Sequence, residues 1–327
     1  MYNFKHKISA INAHTISILL VILCLMSQCG SHLAFNSKRT LRKRVYNGEE
    51  ISHDEVPFLT KILVKKVIGA EIHKFLIGGV LISDKYVLTS AHGVRNKNVW
   101  VTDPNDLEVR IESSTAKSEV KLKVKRVVTH PKYRLDLDPT DIYNRGNDIT
   151  ILEIEKDARV SQVVTDGRVL VNKLNICNTR LKEPKIVTAV GWGRSQSEKG
   201  LYNYRLLKKV VIHLDTVRNI VKKIKKKVSF SNLLFYSLAR DNRRCGKGDS
   251  GGPMYIDTPS ERCLLGLVEG SMSFELDFDE PEYTESLLSS DGKYHVDTFT
   301  KIRSHMGWIS SVTGLEDTYF YRDARYK

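Results

Sequence analysis

Three short motifs, far apart in the sequence, carry residue types that could perform nucleophilic chemistry together. His92 ends the sequence LTSAH after an apolar run, Asp148 lies in NDITIL, and Ser250 lies in GDSGGP. Each motif alone is weak evidence, because a histidine after a strand is more often structural and an aspartate opening a strand is commonly a turn residue. Together the three side chains supply a base, a carboxylate that orients it, and a hydroxyl that is inert until a base activates it. We therefore predict that they form a catalytic triad.

Glycines surround the predicted nucleophile. Gly248, Gly251 and Gly252 let the chain turn sharply beside Ser250, because glycine has no Cβ. Such a turn can direct the backbone N–H groups of Gly248 and Ser250 toward a developing oxyanion. We predict these two N–H groups as the oxyanion hole.

The elements that must position these residues read as short strands. From residue 45 onward, β-rich runs are separated by loops of Gly, Asn, Asp and Ser, which predicts an all-β barrel or sandwich. The runs are residues 58–64, 75–82, 85–89, 120–128 and 148–154. Two segments have helical spacing instead: residues 216–227, with Asp215 as the expected N-cap, and residues 301–311.

With three further motifs, the sequence resembles the trypsin/chymotrypsin-like serine endopeptidases over most of residues 45–314. These motifs are IGGVLIS at 77–83, GWG at 191–193, and FTKI at 299–302 leading to Trp308 and Ile309. The resemblance implies two six-stranded antiparallel β-barrels with the site between them and a C-terminal helix. It also implies hydrolysis of protein or peptide substrates through an acyl-enzyme. A monomer is expected, with protein inhibitors as further candidate partners.

The N-terminus has the composition of an export signal. Lys5 and Lys7 precede an apolar run at residues 16–26, which is too short to cross a bilayer and fits a signal peptide. We expect residues 1–29 to be this signal and the protein to be secreted, without a membrane span; cleavage after Ser27, which would retain Cys29, is the open alternative.

The net charge depends strongly on this leader. The chain has 52 Lys and Arg against 38 Asp and Glu, a formal charge of +14. Residues 1–44 hold seven of the basic side chains and no acidic one, which leaves 45 against 38, or +7, for residues 45–327. The positive charge that would favour binding to nucleic acid is therefore halved, and no specific nucleic-acid interaction is expected.

A basic run stands immediately before the resemblance begins. Residues 42–44 read RKR and are followed by VYNG at 45–48. The resemblance implies a propeptide at 30–44, cleavage after Arg44 by an activating protease, and pairing of the new Val45 ammonium with Asp249. The alternative is a segment used only for processing. We expect the protease domain at 45–314 and a C-terminal tail at 315–327.

Four cysteines are candidates for disulfides once Cys24, inside the apolar run, is set aside. They are Cys29, Cys177, Cys245 and Cys263, which allow two bridges if Cys29 is retained. The resemblance implies a Cys29–Cys177 bridge and leaves Cys245–Cys263 as the second pair. The disulfide that usually flanks the histidine is absent, with Ile77 and Gly93 at its two positions.

The expected specificity pocket departs from the family. One residue more than usual separates Cys245 from Gly248, so either Arg243 or Arg244 falls at the pocket floor, where trypsin-like members have Asp. An arginine there would repel a Lys or Arg substrate side chain. Asp297, on the other pocket wall, could pair with it. Acidic or small side chains then become plausible at the cleavage position.

A further acidic residue falls beside the expected triad. In the stretch that normally binds the substrate backbone, Glu269 is expected near Asp148, where it could perturb the pKa of the carboxylates or of the histidine. Because these surroundings are unusual, a catalytically weak homologue acting as a binding partner or cofactor is the alternative function.

Two further features of the sequence concern binding. The lysines between Lys222 and Lys227 read as a solvated helix face, with contact to an acidic partner as the alternative. No Cys/His cluster at metal-ligand spacing and no phosphate-binding glycine loop is visible in the sequence, so no metal and no cofactor is expected.

Overall fold

The computed structural model describes residues 48–68, 70–96, 99–100, 103–113, 118–134, 136–137, 145–156, 163–165, 168–170, 173–178, 186–193, 207–224, 230–241, 243–259, 262–275 and 293–321. The strands among them are β1 (Glu49–Glu50), β2 (Leu59–Ile68), β3 (Glu71–Leu81), β4 (Tyr86–Thr89), β5 (Arg95–Asn96), β6 (Val99–Trp100), β7 (Leu107–Ser113), β8 (Ser118–Thr129), β9 (Thr150–Ile154), β10 (Val163–Thr165), β11 (Arg168–Leu170), β12 (Ile186–Gly191), β13 (Lys208–His213), β14 (Leu234–Leu238), β15 (Pro253–Asp257), β16 (Arg262–Glu275) and β17 (Lys293–Lys301). The α-helices are α1 (Val217–Ile224), α2 (Met306–Thr313) and α3 (Asp317–Tyr321), and short 3-10 helices lie at His53–Glu55, His92–Val94, Pro104–Asp106 and Ile302–His305.

Six strands form a closed antiparallel barrel in the order β2, β3, β4, β9, β8 and β7. Side chains alternate between the two faces of a strand, so every second residue enters the barrel interior. In β8, Val120, Leu122 and Val124 are buried, whereas Lys121 and Lys123 between them are exposed. The five β-rich runs predicted as strands are confirmed as β2, β3, β4, β8 and β9.

The second sheet is antiparallel and has the order β1, β13, β12, β15, β16, β17 and β14. Asp215, two residues after the end of β13, hydrogen-bonds to β14, the strand at the far edge of the sheet. Its backbone N–H donates to the Tyr236 carbonyl at 2.8 Å, and its carboxylate accepts from the Leu238 N–H at 3.0 Å. The all-β fold with a closed six-stranded barrel, a second sheet and a C-terminal helix is therefore confirmed.

Helix α1 begins at Val217, one residue later than predicted, and its cap is Thr216 instead of Asp215. The N–H of Asn219 donates to the Thr216 hydroxyl at 3.3 Å, which makes Thr216 the capping side chain. The prediction of Asp215 as the cap is wrong because its carboxylate is bound by the Arg240 guanidinium at 2.6 and 3.0 Å. Lys222 is exposed on this helix, and residues 225–227 of the lysine cluster lie outside the described residues.

The C-terminal elements pack against the core. Ile309 of α2 is fully buried, and Gly314 ends this helix with a φ of 69°, a conformation that glycine adopts readily. In α3, within the segment set apart as a tail, Phe320 is only 1% exposed and its carbonyl accepts from the Ile176 N–H at 2.9 Å. Residues 315–321 thus contribute to the same apolar cluster as α2.

One disulfide is present in the described residues, and it joins Cys177 to Cys263. The predictions of Cys29–Cys177 and Cys245–Cys263 pairs are therefore wrong, although the presence of a disulfide is confirmed. The chain around Cys177 runs alongside the start of β16. The Cys177 N–H donates to the Leu264 carbonyl at 3.0 Å, and the Leu264 N–H donates to the Asn175 carbonyl at 2.7 Å. These bonds bring the two sulfurs together. Cys245 is a buried free thiol, and Cys29 lies outside the described residues.

Candidate active site

His92 is positioned by the end of a buried strand. All four residues of β4 are buried, and the chain then turns into the short 3-10 helix that begins at His92. The carboxylate of Asp148 holds this histidine at two points: Oδ1 accepts from the His92 backbone N–H at 2.7 Å, and Oδ2 lies 2.5 Å from ring Nδ1. Asp148 is 2% exposed, so this contact is shielded from water.

Ser250 approaches the same ring from the second sheet. Its Oγ lies 2.8 Å from Nε2 of His92, and its carbonyl accepts from the Gly78 N–H of β3 at 2.8 Å. The three side chains that the sequence singled out thus meet in one hydrogen-bonded series. Such a series can move a proton from the serine hydroxyl to the imidazole.

Glycines allow this close approach between the two sheets. A Cβ on Gly251, whose φ is 77°, would lie 2.3 Å from Oγ1 of Thr89 and 2.5 Å from the Gly78 carbonyl. A Cβ on Gly78 would lie 2.7 Å from Cα of Gly252. Because real Cβ contacts are not this short, larger residues at these positions would push the Ser250 turn away from His92.

The backbone beside Ser250 presents two donors. Gly248 has a φ of 102°, a conformation that residues with a Cβ rarely adopt. The N–H groups of Gly248 and Ser250 donate no hydrogen bond within the described part of the chain. The geometry is therefore compatible with two N–H groups available to an incoming oxygen atom.

Asp249 turns away from the solvent and is 1% exposed. Its carboxylate accepts from the N–H groups of Gly193 and Gly246, each at 2.7 Å. Burial raises the pKa of Asp249 to about 6, and these two N–H groups oppose that shift. Arg44 and Val45, expected to supply the activation site, lie outside the described residues.

The charges around His92 act in opposite directions. Burial lowers the pKa of His92, but the Asp148 carboxylate and then Glu269 more than offset this, so its pKa is raised above the ordinary value. The positive charge of Lys66 opposes the rise. The imidazole is therefore a stronger base than a free histidine.

Glu269 is the second carboxyl group in this site, as the sequence predicted. Burial and then the negative charge of Asp148 raise the pKa of Glu269 to about 7. Arg145, Thr298 and His92 oppose that shift.

Of the two arginines expected at the specificity pocket, Arg243 is exposed and Arg244 is only 8% exposed. The Arg244 guanidinium donates to Nδ1 of His295 at 3.2 Å. Asp297 accepts from the Cys245 backbone N–H at 2.7 Å, and burial raises the pKa of its carboxyl to about 7. The buried Arg244 lowers that pKa, so the two groups attract each other.

Sequence reasoning missed His295 and Ser273 on the same wall. Nδ1 of His295 lies 3.0 Å from the Ser273 hydroxyl as well as contacting Arg244. A signal was available, because His295 precedes Asp297 by two residues and alternate residues of a strand share a face. At Ile77 and Gly93, the two positions of the absent disulfide, a Cβ on Gly93 would lie 2.6 Å from Cδ1 of Ile77, so the isoleucine side chain fills that space.

The described residues hold neither a metal-binding cluster nor a helical membrane span. No three His, Cys, Asp or Glu side chains there are grouped as metal ligands would be. None of the helices in that part of the chain has the length and hydropathy of a membrane span.

Known proteins match this chain over most of its length. The family model for trypsin matches residues 45–277. Trypsin from Phaedon cochleariae is 28% identical over 247 residues, which cover 75% of this chain and 81% of that protein. Phenoloxidase-activating factor 3 from Holotrichia diomphalia is 24% identical over 302 residues, covering 86% and 78%. Vitamin K-dependent protein C from Mus musculus is 24% identical over 274 residues, covering 83% of this chain but only about half, 52%, of that protein. On the family match and the two-sheet architecture together, the chain belongs to the trypsin-like serine protease family.

Proposed function

We propose that this chain is a secreted serine endopeptidase, made as a zymogen, that hydrolyses peptide bonds through Ser250, His92 and Asp148. The observation that carries the proposal is the pair of contacts made by the His92 ring, 2.8 Å to the Ser250 hydroxyl and 2.5 Å to the Asp148 carboxylate. Within a family of serine proteases, this arrangement has a direct chemical use.

The proposed reaction has two halves. Oγ of Ser250 attacks the substrate carbonyl carbon while Nε2 of His92 takes the hydroxyl proton. The N–H groups of Gly248 and Ser250 stabilise the resulting oxyanion, and the C–N bond then breaks as His92 returns the proton to the leaving amine. Water repeats the sequence on the acyl-enzyme and releases the acid. Asp148 keeps Nδ1 protonated and the ring in orientation.

Activation is proposed to follow cleavage after Arg44. The freed Val45 ammonium would pair with Asp249, whose buried carboxylate is held by two N–H groups. A buried carboxylate favours a cationic partner, since an isolated charge in the interior is costly. This pairing would order the turn that carries Gly248 and Ser250. Residues 1–29 and 30–44 are proposed as signal and propeptide, with the protease domain at 45–314.

We propose that the specificity pocket accepts acidic or small substrate side chains at the cleavage position. Arg244 is the buried arginine at the expected pocket floor, and the raised pKa of Asp297 weakens the negative charge that would attract Lys or Arg. A cationic substrate side chain would therefore meet net positive charge.

Partners are proposed on the same basis. Protein or peptide substrates, an activating protease and protein inhibitors follow from the proposed activity. One relative is named a phenoloxidase-activating factor and another a CLIP domain-containing serine protease, which supports a place in a protease cascade. The lysines from 222 to 227 are a candidate contact for an acidic partner.

A second candidate function is that of a catalytically weak homologue that binds partners. Glu269 beside the triad and Arg244 in the pocket favour it, because both alter charges that the chemistry depends on. An intact set of Ser250, His92 and Asp148 favours the enzyme instead.

Covalent labelling by a fluorophosphonate probe separates the two candidates. The chain is treated with the probe before and after cleavage at Arg44, with Ser250→Ala as the control. Labelling that appears only after cleavage and is lost in the control supports the zymogen. Folded, cleaved protein without labelling would reject it in favour of the binding homologue.

A further inference from the structure

Glu269 occupies an irregular position in β16. The pairing between β16 and β17 shifts there: Val268 lies opposite Phe299, whereas Gly270 lies opposite Thr298, so Glu269 is the extra residue of a bulge. A bulge redirects a side chain relative to the regular strand. Here it lies directly after Val268, whose carbonyl accepts from the Gly251 N–H at 2.8 Å. The bulge thus sits against the turn that carries Ser250.

One oxygen of Glu269 is unsatisfied. Oε2 is buried and has no hydrogen-bond partner among the described residues. A carboxylate oxygen without a donor pays the full desolvation cost, whereas a protonated carboxyl loses much less on burial. The surroundings of Oε2 therefore favour the uncharged carboxyl.

Several charged or titratable groups face Glu269 from other elements. Asp148, before β9, repels the carboxylate, while Arg145 and His92 attract it. Tyr133, after β8, and Tyr236 of β14 are close enough for the Glu269 charge to raise the pKa of their hydroxyls. Both tyrosines are buried. The charges of Glu269 and Asp148 therefore oppose each other, and a single negative charge on the pair is favoured over two.

The charged groups that face His92 are fewer. Asp148 and Glu269 raise the pKa of its ring, and Lys66 of β2 lowers it. Because the influence of two charges on each other is mutual, a proton on Glu269 weakens proton binding by His92, and a proton on His92 weakens proton binding by Glu269.

We propose that Glu269 is a positioning residue for the His92 proton: its uncharged carboxyl leaves Nε2 of His92 unprotonated, and its carboxylate draws a proton onto that nitrogen. The two forms differ only in the position of one proton. The proton that Glu269 loses passes through solvent to the imidazole of His92, so the total charge of the pair is unchanged. Of the two forms that hold this one shared proton, only the form with the proton on Glu269 leaves His92 neutral and able to accept the Ser250 proton. The inference rests on the proposed function for its consequence, but the proton exchange itself does not require turnover.

The test measures His92 directly by NMR. In the full chain carrying Ser250→Ala, the ring of His92 is titrated, with its signal identified by its loss in a His92→Asn variant. Replacing Glu269 by Gln or by Ser removes the charge permanently. We expect the His92 midpoint to fall by about one pH unit in both variants, because one neighbouring negative charge is lost. Glu155→Gln, the same change at an exposed site, should leave it unmoved.

The outcome does not depend on whether the chain cleaves peptides. A His92 midpoint that stays the same or rises, in whichever of the Gln and Ser variants folds, would overturn the inference. In the active, cleaved protein with Ser250 intact, the acid limb of kcat/KM should move to lower pH by the same amount in Glu269→Gln. Absence of fluorophosphonate labelling would reject the proposed function and leave the NMR result to decide the role of Glu269.

Discussion

Both carboxylate oxygens of Asp148 bind His92, one through the backbone N–H at 2.7 Å and the other through ring Nδ1 at 2.5 Å. The first contact fixes where the chain turns after β4, and the second fixes the ring. We expect Asp148→Asn to fold but to lose about 10⁴-fold in kcat, because an amide favours the wrong imidazole tautomer. Peptide hydrolysis by the cleaved protein measures this. Asp257→Asn, at the far end of β15, is the control, and a loss below tenfold for Asp148→Asn would contradict the assigned role.

Gly251→Ala should disrupt the approach of Ser250 to His92. The new Cβ would overlap Thr89 and the Gly78 carbonyl, in addition to the strain of a positive φ. We expect a loss of about 2 kcal/mol or more in the free energy of unfolding, together with loss of fluorophosphonate labelling. Gly314→Ala is a matched control, because its φ is 69° but nothing lies within 4 Å of its Cβ position. It should cost about 1 kcal/mol and leave labelling intact.

Removal of the Cys177–Cys263 bridge should destabilise the protein strongly. The two residues are 86 apart in sequence, and a loop of that length predicts a loss of about 4 kcal/mol when both become serine. Urea denaturation measures the change. Cys245→Ser tests the pairing, because the buried thiol makes no disulfide and a mass map should still show the Cys177–Cys263 peptide pair. A Cys245–Cys263 peptide in the map of the wild-type protein, or loss of the Cys177–Cys263 pair in the variant, would refute the assignment.

Mild acid should destabilise the contact between His130 and the C-terminal helix. The His130 ring stacks edge-on against His305 at 5.1 Å and Trp308 at 4.9 Å. Burial, then the nearby His305 and Lys132, lower the pKa of His130 to about 4. Because the unfolded chain binds this proton near pH 6.5, stability is full above that pH and falls as the pH drops toward 4.

The measurement compares wild type with His130→Gln in urea between pH 7 and pH 5. Other titrating groups are common to both proteins, so the difference in slope isolates His130. Wild type should lose more stability over this interval than the variant. Equal losses would show that His130 carries no such linkage.

Arg244 should determine the preference at the cleavage position. A peptide library is expected to favour Glu, Asp or small residues over Lys and Arg, since a buried guanidinium repels a cationic side chain. Arg244→Ala should reduce the preference for acidic residues about tenfold. Arg243→Ala, one residue away and exposed, is the control. Strong cleavage after Lys or Arg by the wild-type protein would contradict the prediction.

The strands and the catalytic motifs could be predicted from the sequence because both depend on residues that are neighbours in the chain. Alternation from Glu119 to Lys125 in β8 follows from the two-residue period of a strand, and the apolar run at β4 is typical of a strand buried on both faces, so these strands were predicted closely. The motifs around His92 and Ser250 also depend on neighbours in sequence, since a glycine turn needs only the residues beside it. The resemblance they carry matches the family found for residues 45–277.

The errors arose where distant segments compete for one group. Asp215 has the residue type of a helix cap, but Arg240 and Leu238 bind its carboxylate, so Thr216 caps the helix. The number of cysteines and the family resemblance predicted two bridges, Cys29–Cys177 and Cys245–Cys263. Residues 173–178 instead run beside β16, and this path places Cys177 next to Cys263.

What the amino-acid sequence determined by itself is the class of fold and the residue types available for chemistry. The tertiary structure alone decided which arginine is buried, how Glu269 meets Asp148, and which cysteines pair. The physical reason is that hydrogen bonds, charge interactions and desolvation depend on distances in space, and those distances are set when the two sheets close on each other.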